Sequence, residues 1–458
     1  MCGIAAVING TGDELLAMYD AIKRRGTHTS YKILDNLHVG FAYLPITDAN
    51  APGPSFRSGD YTVWLNGYIS NYKELAAKYG FEPKTNCDTE VLAMFIDRFK
   101  MDKLTELNGF FAVLVYNHFT QQAQWFTDRY GIKQLYTYRK NNTTYLCSEI
   151  KGIAAVQDLE LTEEGIQDYY YSLGVFTDTI YKGVHRVKPL QVPVPDRNCT
   201  DTFREACRKV QKLFAQSIAR NRVGEHIKTG VLLSGGIDSG MIAQNIKPDY
   251  TFSVDFINKD YSEIENIKKN TTGIHYTMIC TFDLYLKYTK LAVDVLDDPK
   301  AGSCYTNYAI TELASKFCTV LYSGAGGDEV FKGYTHRYDK PINEVARRNP
   351  MCELREVDLT HEQYDWKYLQ AILVVEDRMA GNFAMETRYP FLDNDLVDYV
   401  ATLPLDYLMG KRLLKEICGL AYEVTIGRKK GFSNPHFSNF AWANTVLVRK
   451  KEQQHASN

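Results

Sequence analysis

Apolar and polar positions divide the chain into two kinds of pattern. Through the first 150 residues, short apolar runs (CGIAAVI, HVGFAYLPI, YTVWLNGYI, FFAVLVYN, AQWFTDR and TTYLCSE) are separated by Gly, Asn and Asp turns. Such runs predict strands, with one or two helices, DTEVLAMFIDRFK among them, lying between. A strand-rich layered domain follows. Pro189, Pro193 and Pro195 punctuate RVKPLQVPVPDRNCTD, residues 186–201, and mark a linker. Beyond it the pattern alternates: a helix in TFREACRKVQKLFAQSIARNR, a strand in TGVLLS, a helix after GGIDSG, a strand in YTFSVDF, another helix, and a strand in CTVLYSG. Strand, glycine turn and helix in repetition predict a parallel α/β sheet. From about residue 360 the pattern is mostly helical, and LVRKKEQQHASN reads as a polar tail. The expected division is 2–188, a linker at 189–201, a second domain over 202–445 and a tail at 446–458.

Length and composition narrow the class. With 458 residues and 45% hydrophobic content the chain can bury a core in each of two or three domains, and two is the starting expectation. The 53 basic and 55 acidic residues give a net charge of -2, so no nucleic-acid partner is expected. Ten scattered cysteines without a CxxC pair, and a start, MCGIAAVING, without a basic, apolar leader, point to a reducing cytoplasmic compartment. No apolar run reaches the roughly 18–20 residues that span a bilayer, so no membrane partner is expected. The partners expected are small molecules; a homodimer stays open as the assembly.

Candidate chemistry begins at Cys2. With the initiator methionine removed, as the small neighbour permits, Cys2 carries a thiol and an α-amine on one residue. An amine with ordinary pKa near 8 can serve as general base for its own thiol, which attacks an amide carbonyl well. The bland alternative is a cysteine that merely precedes a buried strand. MCGIAAV, NGYISNYKEL, CDTEVL, LNGFFAVLVYN, DRYGIKQLY and CSEIKGI, in that order, resemble the glutaminase domain of N-terminal-nucleophile amidotransferases of the asparagine synthetase type, over about 180 residues. The resemblance implies an α-β-β-α sandwich of antiparallel sheets. It implies that Asn66 and Gly67 supply the side-chain amide and backbone N–H that stabilise the oxyanion of amide hydrolysis. It implies glutamine contacts from Asn66, Gly67, Tyr68 and Asp88, the last holding the α-amine. Two positions depart from the family: Tyr43 stands where an arginine clamps the glutamine α-carboxylate, and Tyr68 where the family has Glu. Arg25 or Arg57 are the cations that could take over the clamp.

In TGVLLSGGIDSG, residues 229–240, an apolar strand runs into Ser-Gly-Gly-x-Asp-Ser and then a helix. Glycines let backbone N–H groups approach an anion, and Ser234 and Ser239 add hydroxyl donors. An acid inside a phosphate cradle repels its ligand unless a cation bridges them, so Asp238 implies Mg²⁺. The alternative, an ordinary strand-to-helix turn, does not account for the acid and both serines. The stretch resembles the pyrophosphatase loop of enzymes that split ATP to AMP and pyrophosphate while adenylating a substrate.

YSGAGGDEVFKGY, residues 322–334, DRMAGNFAMETRYPFLD and GRKKGFSNP resemble the remaining segments of an asparagine synthetase. By that likeness Leu233, Ser234, Gly235, Gly236, Asp238, Ser239, Val254, Ser323 and Gly324 form the ATP site, Asp238 and Asp328 hold Mg²⁺, and Lys430 neutralises charge on the adenylate and departing pyrophosphate. The implied fold of this half is a parallel-sheet α/β ATP-pyrophosphatase domain with extra helices. The implied reaction is ATP-dependent amide synthesis: Cys2 frees ammonia from glutamine, the second domain adenylates a carboxylate, aspartate by resemblance, and ammonia passes between the sites to displace AMP. Ala325 departs from the family, which has an acid there, and alanine can neither take a proton nor hold an ammonium group. Glu329, Glu376 and Glu386 are the candidate substitutes. Two alternatives remain open at this stage: the same chemistry on a different carboxylate, and a nucleotide-binding regulatory protein with degraded catalysis.

Overall fold

The computed structural model describes residues 1–48, 53–190, 196–256, 262–297, 304–420 and 424. The chain separates into two compact units, one of residues 1–162, 178–192 and 380–386, the other of residues 163–177, 193–379 and 387–458. The expected tail at 446–458, Lys430 and part of the expected linker lie outside the described residues.

The first unit carries β1 (Gly3–Ile8), β2 (His28–Ile33), β3 (Leu37–Tyr43), β4 (Ser55–Ser58), β5 (Tyr61–Ile69), β6 (Gly109–Asn117), β7 (Gln122–Thr127), β8 (Tyr136–Lys140), β9 (Thr143–Cys147) and β10 (Val184–Arg186). They form two antiparallel sheets, ordered β10-β8-β9-β1-β3-β2 and β4-β5-β6-β7. Because side chains alternate across a strand, β1 serves two cores. Cys2, Ile4 and Ala6 point into the space between the sheets with Phe41, Trp64, Ala112, Leu114 and Leu146. Ala5 and Val7 face the other way, onto Leu15, Met18 and Ile22 of helix Gly12–Ile22 and onto Ile150 and Ile153. Helix Asp88–Phe99, burying Val91, Leu92, Phe95 and Ile96, covers the outside of the second sheet. The expected α-β-β-α sandwich is the result, and a strand buried on both faces explains why β1 reads as an unbroken apolar run.

One buried acid organises the turn after β7. The carboxylate of Asp128, wholly inaccessible, accepts four backbone N–H bonds: Tyr130 (2.9 Å) and Ile132 (3.0 Å) on Oδ1, Phe111 (3.1 Å) and Lys133 (2.9 Å) on Oδ2. Burial pushes this carboxyl up to about 6, against the pull of those four donors.

The second unit is built on β11 (Thr229–Leu232), β12 (Tyr250–Phe256), β13 (Ile274–Cys280), β14 (Val320–Tyr322) and β15 (Glu386–Arg388), in the order β13-β12-β11-β14-β15; Glu386 itself divides with the first unit. Pairings β11 with β12, β12 with β13 and β11 with β14 are parallel, as the strand–turn–helix alternation predicts. The flanking helix Phe203–Asn221 opens with a reciprocal capping box between Thr202 and Glu205. The helical C-terminal pattern corresponds to helices His361–Asn382, Asn394–Thr402, Leu405–Leu408 and Arg412–Ile417. No helix among the described residues is long and apolar enough to cross a membrane.

Asp128→Asn replaces a four-fold acceptor by one oxygen and an NH₂ group that faces N–H donors. We expect a loss of about 2–4 kcal/mol, read as a lowered thermal unfolding midpoint with unchanged far-ultraviolet circular dichroism of the folded state.

Candidate active sites

In the first unit, Cys2 lies just ahead of β1, 9% exposed, with its side chain in the inter-sheet space. Burial raises the thiol above its ordinary range, while a backbone N–H from Leu44 favours the thiolate. Burial also pulls the Met1 α-amine down to about 5, which leaves it unprotonated near pH 7 and a weaker base than an exposed amine. Arg25 fixes this end of the chain. Its Nε donates to the Cys2 carbonyl at 2.7 Å, Nη1 to Glu149 Oε1 at 2.6 Å and Nη2 to the Met1 sulfur at 2.6 Å, with Arg25 and Glu149 both 1% exposed. Arg25 is thus committed to holding the Cys2 backbone in place. Arg57 is exposed on β4 and bonded to the Gly59 carbonyl.

Asn66 sits on β5 with the same parity as Trp64, facing the same inter-sheet space, and is fully buried. Its Nδ2 lies 3.4 Å from Ser148 Oγ, which also accepts from the Ile4 N–H at 2.9 Å, while Oδ1 has no partner. A serine hydroxyl donates as readily as it accepts, so turning the amide over keeps the Ser148 contact and leaves Nδ2 as an uncommitted donor. Gly67 follows at φ +131°, and a Cβ there would lie 2.0 Å from the Phe110 carbonyl oxygen; only glycine passes at this point. Asp88, 3% exposed, opens helix Asp88–Phe99 and accepts the Ile69 N–H at 2.9 Å, which ties it to the end of the strand carrying Asn66, Gly67 and Tyr68. The Tyr68 ring packs on Phe110 (5.9 Å) and Tyr72 (6.2 Å), and Tyr43 lies between His28 (5.1 Å) and Phe41 (6.4 Å).

In the second unit, two loops leave the carboxyl ends of the adjacent parallel strands β11 and β14, the place where open α/β sheets hold ligands. The first runs Leu233–Gly236 into helix Ile237–Ile246. Ser239 Oγ accepts the Ser234 N–H at 3.0 Å and meets Ser234 Oγ at 3.1 Å, closing the turn, with Gly235 at φ +69°. Leu233 is anchored to the neighbouring strand by its N–H on the Phe252 carbonyl, and Val254 lies two residues farther along β12. The second loop, Ser323–Gly327, presses against the first: a Cβ on Gly327 would lie 2.5 Å from Asp238 Oδ1, and one on Gly324 3.0 Å from Asp238 Cβ. Glycine at both positions lets the loops touch.

Their carboxylates converge on a residue that sequence patterning does not single out. Lys411 Nζ is ion-paired with Asp238 Oδ2 and, at 2.6 Å, with Asp328 Oδ1; all three residues are at most 7% exposed. Lys411 adopts φ +60°, and Gly410 and Lys411 donate their N–H groups to the carbonyls of Lys332 and Phe331. Asp238 Oδ1 is buried without a partner. No group of three or more His, Cys, Asp or Glu side chains among the described residues could hold a metal ion alone. Two carboxylates completed by phosphate oxygens are nevertheless an ordinary donor set for Mg²⁺, and the Lys411 ammonium already marks the spot as one requiring positive charge. The residues fit the cation.

The glutamine amidotransferase domain model matches residues 1–203, and the asparagine synthase model matches residues 209–366 and 353–454. The chain belongs to the asparagine synthase family. Among its relatives, asparagine synthetase [glutamine-hydrolyzing] 1 of Bacillus subtilis is 30% identical over 383 residues, 75% of this chain and 60% of that protein. Putative asparagine synthetase [glutamine-hydrolyzing] 2 of Methanocaldococcus jannaschii is 28% identical over 398 residues, 73% of this chain and 76% of that one. Asparagine synthetase [glutamine-hydrolyzing] 3 of Bacillus subtilis is 22% identical, with 96% and 88% covered. The match thus spans three fifths of the first relative's length.

Within this asparagine synthase fold, Ala325 donates its N–H to Ser323 Oγ at 3.2 Å, and that hydroxyl lies 3.2 Å from Glu376 Oε1. Glu329 is buried, its Oε1 accepting from Tyr334 at 3.0 Å, and burial together with Asp328 pushes it up to about 7. Of the three acids named as substitutes for the one absent at 325, Glu376 is hydrogen-bonded into the Ala325 loop.

Lys411→Met leaves two buried carboxylates without counter-charge, at an expected cost of about 3–5 kcal/mol. Because a divalent cation can replace the ammonium, millimolar Mg²⁺ should recover more of the unfolding midpoint in the variant than it adds to the wild type. Parallel thermal melts with Mg²⁺ and with a chelator read this difference.

Proposed function

We propose that this chain is an ATP-dependent, glutamine-hydrolysing amide synthetase. The observation that carries the reading is the meeting of the Ser234–Ser239 turn with the Ser323–Asp328 loop at the ends of adjacent parallel strands, with two buried carboxylates at one cation-binding point. Family membership and relatives whose names read asparagine synthetase [glutamine-hydrolyzing] support it.

In the first unit, Cys2 attacks the side-chain amide of glutamine once Met1 is removed and the α-amine belongs to the nucleophile itself. Asn66 and the Gly67 N–H stabilise the oxyanion, Asp88 holds the substrate α-amine, and Tyr68 lines the glutamine pocket. With Tyr43 in place of arginine and Arg25 engaged elsewhere, the glutamine α-carboxylate loses its bidentate clamp, and the Michaelis constant for glutamine rises accordingly.

In the second unit, backbone N–H groups of Gly235 and Gly236 and the hydroxyls of Ser234 and Ser239 cradle ATP phosphates, with Leu233, Val254, Ser323 and Gly324 completing the nucleotide pocket. Asp238 and Asp328 hold Mg²⁺, which when bound offsets phosphate charge. Lys411 is then free to follow the pyrophosphate, and Lys430 takes the adenylate. A carboxylate is a poor electrophile until adenylated, and ammonia is scarce as free base near neutral pH, so each domain prepares one reactant. Aspartate is the acceptor suggested by the relatives, by way of β-aspartyl-AMP. Ala325 favours a second reading, the same reaction on a different small carboxylate, because the side chain that changes there lies in the loop beside the nucleotide.

Cys2→Ala should abolish glutamine-dependent synthesis and leave ammonia-dependent synthesis within about two-fold. Pyrophosphate release across a panel of carboxylic acids, with glutamine or ammonium chloride as nitrogen source, measures both. Equal loss from both sources would contradict the assignment of the nucleophile, and turnover with another acid but not aspartate would select the second reading.

A further inference from the structure

Helix His361–Asn382, 22 residues long, carries Glu376 to the Ser323–Gly327 loop. Its carboxyl receives the Ser323 hydroxyl on Oε1 and also feels the Tyr389 hydroxyl. Ser323 Oγ lies 3.2 Å from Oε1 and itself accepts the Ala325 N–H at 3.2 Å, so the serine hydroxyl proton points to the carboxylate. Oε2 is buried and has no hydrogen-bond partner among the described residues. Leaving a buried carboxylate oxygen unsatisfied is costly, and a ligand that completes it accounts for its presence in a native site. The loop that Ser323 opens is the one in which Ala325 replaces the family acid. Lengthening the reach from the loop to the helix therefore restores an acid to the same neighbourhood without restoring it at the same position.

We propose that Glu376 Oε2 takes the proton from the amine that attacks the activated carboxylate, doing the work of the acid that Ala325 lacks. The proposal rests on the synthetase reading above. As the amine nitrogen's lone pair bonds to the acyl carbon, the C=O π pair moves onto the carbonyl oxygen; one N–H bond breaks, its electron pair stays on nitrogen and the proton passes to Oε2. The C=O bond then re-forms as the C–O bond to AMP breaks, and that electron pair leaves on the phosphate oxygen. Ser323 on the loop and Tyr389 just beyond β15 are the two hydroxyl groups acting on the carboxyl, and both favour its charged form; burial opposes them and sets the group at about 7. A group so placed is ionised often enough to accept a proton near neutrality and can release it again.

Glu376→Gln keeps the Ser323 bond, because an amide oxygen still accepts, but cannot take a proton. We expect acceptor-dependent ATP–pyrophosphate exchange to stay within about three-fold of wild type while amide formation from ammonium falls about 100-fold or more. Glu376→Asp should recover part of amide formation, and the alkaline-rising limb near pH 7 should vanish from the Gln profile. Infrared difference spectra should show a carboxyl titrating near neutrality in the wild type and not in Glu376→Gln. Exchange and amide formation falling together, or amide formation unchanged, would overturn the role of Glu376 while leaving the synthetase reading intact. Absence of exchange in the wild type with every acid tried would instead remove the reading on which the role rests.

Discussion

Two carboxylates brought together out of water repel each other and each loses its hydration, so something positive has to accompany them. The second unit is arranged around that requirement. Parallel strands β11 and β14 each deliver a loop to the same end of the sheet, and each loop ends in an acid, Asp238 or Asp328. Close approach of the loops needs Gly324 and Gly327, whose missing side chains leave room for Asp238. Lys411 supplies the charge from a third segment and accepts a left-handed backbone to do so, held there by hydrogen bonds to residues 331 and 332. Sheet order, loop composition and the register of a distant turn thus serve one electrostatic condition. A lysine in this role neutralises the paired carboxylates, and an ammonium on a flexible stem can yield to a divalent ion.

The first unit solves a different problem, holding a chain terminus still. Termini fray unless they are tied down, and the role proposed for Cys2 requires that this one be held. β1 is buried on both faces between two cores, and Arg25 clasps the Cys2 carbonyl from one side while Glu149 fixes the guanidinium from the other. Buried and tied to the Cys2 carbonyl and to Glu149, Arg25 is held to the Cys2 backbone and is not the replacement for the arginine whose place Tyr43 takes.

Much of this was legible in the sequence where the chemistry is local. β5 spans the same nine residues as the run YTVWLNGYI, and β6 differs from FFAVLVYN by one residue, because both strands pack on apolar neighbours and alternate or run accordingly. The Ser-Gly-Gly-x-Asp-Ser turn and the glycine-rich loop after β14 announce themselves because their backbones need glycine. What stayed hidden lacks such a signature. β2, HTSYKI, is an edge strand with polar, exposed positions, and β10 is three residues long; neither buries enough to leave a periodic trace. Arg25, Glu149 and Lys411 act through partners far away in sequence, and no spacing rule links residue 25 to 149 or 411 to 238. Glu376 could be named as an acid but not located, since its position depends on how a long helix meets a loop some fifty residues earlier.

The departures from the family fall into one pattern. Residues assigned by the proposal to phosphate and to the thiol match the family, and the surrounding loops keep the glycines that let backbones approach. The changed residues, Tyr43, Tyr68 and Ala325, are instead ones that the proposal assigns to recognition of the organic parts of the substrates. Phosphate and thiolate chemistry tolerates little variation because it depends on fixed charge and backbone donors, whereas a wall contact can move to a neighbouring element as long as some group reaches the same atom. Ser323 shows how such a transfer is accommodated. Its hydroxyl joins the Ala325 backbone to the Glu376 carboxyl, so the loop that lost its acid is physically coupled to the helix that provides one.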